Sequence, residues 1–148
     1  MASLSPAQGR QARALLLLGL VLFLIGLLTG FVSGSFANPR MGLSAHLEGL
    51  MNGMLLVILG LLWPRLALGT VALSAAFWFM VYAAFANWLG VLLAGIWGAG
   101  SGMMPLAAQG MTGSSVQEAI IAALLISLSV AMVLGIVLVI WGLWRVRN

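Results

Sequence analysis

Four long apolar stretches, separated only by short connections, leave this chain few ways to fold. They run over residues 14–33, 43–63, 67–94 and 117–144. Each reaches or exceeds the roughly 20 residues that an α-helix needs to cross the hydrocarbon core of a bilayer. Charged residues make up 5% of the 148 and hydrophobic residues 64%. A soluble domain carries about a quarter charged residues, so this chain could not solvate its own surface. The prediction is an all-α, four-helix transmembrane bundle forming one integral-membrane domain over residues 1–148. Pro64-Arg65-Leu66 is too short a connection for the second and third helices to be anything but antiparallel neighbours.

The positive charge is all arginine, six residues with no lysine. In a four-span arrangement Arg10, Arg13, Arg65, Arg145 and Arg147 fall on one side and Arg40 alone on the other. The positive-inside rule then places both termini in the cytoplasm. No basic face interleaved with aromatics exists, so a nucleic-acid partner is not expected. The first apolar run, about 19 residues, exceeds the roughly 7–15 of a signal-peptide core and is expected to stay as a span. The absence of cysteine excludes disulfides, thiolate haem ligation, iron–sulfur clusters and cysteine nucleophiles. Trp63, Trp141 and Trp144 fit a cytoplasmic aromatic belt. Small residues at helix-packing spacing (Gly26 and Gly30, Gly30 and Gly34, Gly49 and Gly53) allow close helix contact within or between chains, and a homo-oligomer is expected. The uncharged 95–115 connection reads as flexible. Its Gly98-Ala99-Gly100-Ser101-Gly102 follows no strand and has no nearby cation, which argues against a phosphate loop.

Polar side chains inside a bilayer are costly and persist mainly where something binds or reacts. They concentrate in Ser44-Ala45-His46-Leu47-Glu48-Gly49-Leu50-Met51-Asn52-Gly53, which holds the only histidine and one of two acidic residues. On a helix Glu48 and Asn52 share a face, while His46 and Glu48 point to nearly opposite sides. Asn87 on the third helix lies roughly 10 Å from that helix's outer end and Asn52 roughly 13 Å from its own, so both are expected in the outer half of the membrane. Each residue also has a plain structural reading: the asparagines as interhelical glue, Glu48 as a partner of Arg40, Tyr82 and the methionines as packing. His46 stands apart, because a lone membrane histidine cannot build a multi-ligand zinc site, whereas haem needs only one proximal protein ligand.

The run from Asn38 to Met54 (NPRMGLSAHLEGLMNGM), followed by Trp63-Pro64-Arg65-Leu66, resembles the hydroxylaminobenzene mutases. In wider pattern it is similar to the styrene oxide isomerases, small four-span membrane enzymes. The shared features are Ala45-His46, Asn52-Gly53, Pro64 and Ala86-Asn87. In the isomerases the histidine holds haem b at a trimer interface and the second-helix asparagine helps bind substrate. The resemblance therefore implies His46 as the haem iron's axial ligand, Asn52 as a substrate-binding residue and a trimer. Val91 stands where the isomerases carry a tyrosine and Phe85 where they carry tryptophan. The missing hydroxyl disfavours an epoxide.

The expected function is rearrangement of an aryl hydroxylamine to an aminophenol in a bacterial inner membrane. Ferric haem b would serve as Lewis acid, and Asn52 and Asn87 would orient the NH–OH group. The alternatives are an epoxide isomerase and a non-enzymatic haem-carrying anchor, which would need a second axial ligand. A small multidrug exporter would need a glutamate in the first helix, and that helix has none.

Overall fold

The computed structural model describes residues 5–145. Among them are five α-helices and no strand: α1 (Pro6–Val32), α2 (Pro39–Leu62), α3 (Thr70–Trp97), the one-turn α4 (Pro105–Ala108) and α5 (Ser115–Trp144). All but α4 are long and apolar enough to cross a membrane, with α1 and α5 the more apolar pair and α2 and α3 the less.

Local chemistry sets the helix ends and explains where the expected spans were misplaced. Helix α1 begins eight residues before the apolar run, because Ser5 accepts the Gln8 N–H (3.2 Å) and Pro6 occupies the first turn. Arg10 and Arg13 thus lie on a continuous helix rather than in a preceding tail. Helix α2 starts at Pro39 rather than Leu43, since Asn38 Oδ1 accepts the Met41 N–H at 3.1 Å. A side-chain oxygen at this position satisfies an otherwise unpaired helix N–H, and proline at the first position loses nothing. Helix α3 lies three residues later than expected, closing at Gly98, whose φ of 60° is left-handed. Helix α5 is opened by a reciprocal cap between Ser114 and Gln117. Arg145 stacks over the Trp141 ring at 4.6 Å; Arg147 lies outside the described residues.

The connection between α3 and α5 is ordered by one carboxylate, contrary to the flexible reading. Glu118 accepts N–H groups from Gly100 (2.8 Å), Gly113 (3.0 Å), Gly102 (3.3 Å) and Ser101 (3.4 Å). The glycine-rich segment does cradle an anion, but the anion is the chain's own. Asn38 Nδ2 donates to the Ala107 carbonyl at 3.0 Å, fastening α4 to the start of α2.

Packing runs chiefly from α1 to α2, from α2 to α3 and from α3 to α5. The α1–α2 seam is made of glycine. A Cβ built on Gly49 would lie 2.5 Å from Gly26 Cα, and one on Gly53 would lie 2.7 Å from the Phe23 nitrogen and 2.8 Å from the Gly19 carbonyl oxygen. The Gly26, Gly49 and Gly53 contacts therefore hold this chain's own helices together, and Gly30 seats His46. Trp63 is wholly buried, with an edge-on contact to Phe77 and its Nε1–H donating to Gln11. It belongs to the core, not to the expected aromatic belt, whereas Trp141 and Trp144 are exposed. Large apolar side chains such as Phe31 and Val71 cover the outer faces, as a surface in contact with lipid tails requires.

Candidate active site

Helix α2 supplies three of the four polar side chains, and its neighbours determine where each one goes. Glu48 lies nine residues into α2, about 13 Å along the axis, and Asn87 lies ten residues before the end of α3, about 15 Å at the same rise. These two are level. Asn52 is one turn further along, at the midpoint of the 39–65 helical segment.

The three residues meet at a single atom. Glu48 Oε2 accepts from Asn52 Nδ2 at 3.0 Å and from Asn87 Nδ2 at 2.6 Å. Asn52 Nδ2 also donates to the Glu48 main-chain carbonyl at 2.9 Å. The expected Glu48–Arg40 pair does not form. The two residues are eight positions apart, about 12 Å on one helix, while the asparagines lie within reach. Both hydrogens of the Asn52 amide are committed, and no donor among the described residues reaches Asn52 Oδ1, Asn87 Oδ1 or Glu48 Oε1. Each of these oxygens keeps at least a sliver of exposed surface, because every fully buried side-chain nitrogen or oxygen among the described residues has a partner. Asn52 itself is 5% exposed.

His46 leaves α2 on the other side. Its Nδ1 lies 2.8 Å from the Gly26 carbonyl oxygen, and Gly30 presents bare backbone beneath the ring, where a Cβ would come within 2.7 Å of Nδ1. The carbonyl can only accept, so Nδ1 carries the proton and donates. In the neutral imidazole the lone pair is then on Nε2, which has no partner among the described residues and is not fully buried. A histidine whose second nitrogen is held by a main-chain carbonyl is the arrangement metal-ligating histidines show. The residues therefore fit a group that asks for one imidazole.

A comparison with protein families matches residues 11–144 to styrene oxide isomerase. The chain belongs to that family. It is 61% identical over 132 residues to the hydroxylaminobenzene mutase HabB of Ectopseudomonas oleovorans, covering 89% of this chain and 80% of that protein. It is also 46% identical over 127 residues to HabA of the same organism, covering 86% of this chain and 94% of the relative. No solved structure matches the chain. The chain is an enzyme, an isomerase of the mutase kind.

In this mutase-like isomerase two further contacts shape the surroundings. Trp88 Nε1 donates to Thr29 Oγ1 at 3.3 Å, tying α3 to α1 beside the glycine seam. Tyr82 donates to Ser127 Oγ at 2.6 Å, with the serine hydrogen going to the Ala123 carbonyl, so the only tyrosine links α3 to α5. Val91 is buried in a core cluster with Met41 and Ala45 of α2, Ala108 of α4 and Ile121 of α5. An apolar groove of about 380 Å³, lined by Trp78, Tyr82, Phe85, Leu89 and Leu124, does not include the polar cluster. Of its lining residues, Phe85 and Leu89 lie about 200° around α3 from Asn87, while Ala86 and Trp88 flank Asn87 in the chain. Sequence spacing showed that Glu48 and Asn52 could touch. Helix register also put Asn87 near the depth of Asn52 on the neighbouring helix, and the structure joins the two through Glu48; nothing in the sequence signalled that the Gly26 carbonyl holds His46.

Proposed function

We propose that this isomerase rearranges an aryl hydroxylamine into an aminophenol. The observation that carries the reading is the 61% identity over most of the chain to a hydroxylaminobenzene mutase. Substrate and product have the same composition, since the N–O bond breaks and a ring C–O bond forms while one ring hydrogen moves to nitrogen. No external oxidant or reductant enters.

His46 would hold haem b through Nε2, with the Gly26 carbonyl fixing the ring and Gly30 leaving room for it. When bound, ferric haem would supply Lewis-acid chemistry. Asn52 and Asn87 orient the substrate: their free Oδ1 atoms accept the hydroxylamine N–H and O–H, and the second Asn87 amide hydrogen is left to meet the departing hydroxyl. The apolar walls of α2 and α3 keep bulk water from competing for the ring. Because His46 and Glu48 emerge on opposite flanks of α2, a site that uses both is closed by a second copy of the chain. A homotrimer in the bacterial inner membrane, with both termini cytoplasmic, suits that requirement and the arginine distribution.

The test is to supply phenylhydroxylamine to the purified full-length chain, identify the product and record the absorption spectrum. Aminophenol together with a Soret band is the expected result. Conversion of an aryl epoxide to an aldehyde without aminophenol formation would move the assignment to epoxide isomerisation.

A further inference from the structure

We propose that Glu48 is the positioning residue of the site, turning both asparagine carboxamides so that the substrate meets hydrogen-bond acceptors and is chosen for its donors. The inference rests on the aryl-hydroxylamine reading and deepens it.

The amide orientation is settled by its partners. Asn52 Nδ2 faces two atoms that only accept, the Glu48 main-chain oxygen and the Glu48 carboxylate, and Asn87 Nδ2 faces the same carboxylate oxygen. With Glu48 ionised, an amide oxygen in either place would meet another lone pair, so both NH₂ groups point at Glu48. The Oδ1 atoms are then forced away from it. Each lies one hydrogen bond and one amide group from the shared Oε2, about 5 Å. The result is two carboxamide oxygens from two helices without protein donors, in a setting where an unmet polar group is costly.

Such a set discriminates by chemistry. An aryl hydroxylamine brings an N–H and an O–H, whereas an epoxide brings lone pairs alone. A site built to pair with a donor rejects an analogue lacking it far more strongly than an apolar pocket rejects a change of size. Interhelical glue would explain the Asn87–Glu48 bond and helix spacing the Asn52–Glu48 bond; the further role lies in the use of the two amide oxygens that these bonds turn away from Glu48. Glu48 acts here through Asn52 and Asn87.

The experiment measures phenylhydroxylamine turnover by the full chain, with aniline (an N–H donor) and N,N-dimethylaniline (no donor) as competitive inhibitors. Wild type should be inhibited by aniline at about tenfold lower concentration, the difference one hydrogen bond makes. Glu48→Gln can present one oxygen to both amides. It should lose less than about tenfold in kcat/KM and keep the aniline preference. Glu48→Leu should lose about 100-fold and the preference with it. Equal inhibition of wild type by the two amines overturns the proposal, as does equal damage by glutamine and leucine. Neither the wild-type comparison nor Glu48→Gln depends on Glu48→Leu accumulating in membranes. Wild type that makes no aminophenol would reject the activity itself, whereas wild-type turnover without donor preference rejects only the role of Glu48.

Discussion

At the scale of single residues, the chemistry divides between two flanks of α2. His46 has one nitrogen committed to a carbonyl and one free, so removing the ring removes the only imidazole the chain can offer. His46→Ala is expected to abolish the Soret band and turnover together while leaving membrane insertion intact, because four apolar helices depend little on one side chain. Full activity in His46→Ala membranes would reject the ligand role. Asn52→Ala should retain the haem spectrum and lose about 10- to 100-fold in kcat/KM, the effect of one hydrogen bond to a polar group in a dry site. Haem content falling in step with the rate would instead point to packing. The histidine and both asparagines were legible as candidates because polar residues stand out in an apolar chain. Glu48 was not legible in its role. Pairing with Arg40 satisfies charge on paper, but Asn52 one turn along α2 and Asn87 on α3 are the closer donors, and both converge on one Glu48 oxygen.

Among the elements, the α1–α2 seam controls the histidine. The Gly26 backbone both meets Gly49 and supplies the carbonyl that holds Nδ1. A methyl group at Gly49 must push the helices apart, and overpacking of this kind costs about 1–3 kcal/mol. Gly49→Ala should therefore lower the thermal midpoint of the detergent-solubilised protein and weaken haem retention. Gly34→Ala, where a Cβ meets nothing within 4 Å, should do neither. An unchanged midpoint in Gly49→Ala would contradict the seam. Hydropathy located all four long helices, but their ends followed capping chemistry instead. Ser5-Pro6 and Asn38-Pro39 are start signals that an apolar-run count passes over, and they lengthen α1 and α2 at their N-terminal ends. The 98–114 segment looked unstructured because its organiser, Glu118, comes later in the sequence and acts through backbone N–H groups.

For the whole molecule, the separation of His46 from the Glu48 cluster has a consequence for assembly. If two copies close one site, His46→Ala and Asn52→Ala chains expressed together should recover part of the activity that each lacks alone. A mixed oligomer contains a junction with one intact histidine and one intact asparagine. No recovery, with mixed oligomers demonstrated by differential tags, would place the complete site within a single chain. The most direct measurement follows the oxygen atom. In ¹⁸O-labelled water, the purified enzyme acting on phenylhydroxylamine should yield aminophenol whose hydroxyl is mostly unlabelled, because transfer takes place behind apolar walls. Label approaching the solvent's enrichment would contradict internal transfer, and the absence of aminophenol would contradict the mutase assignment itself.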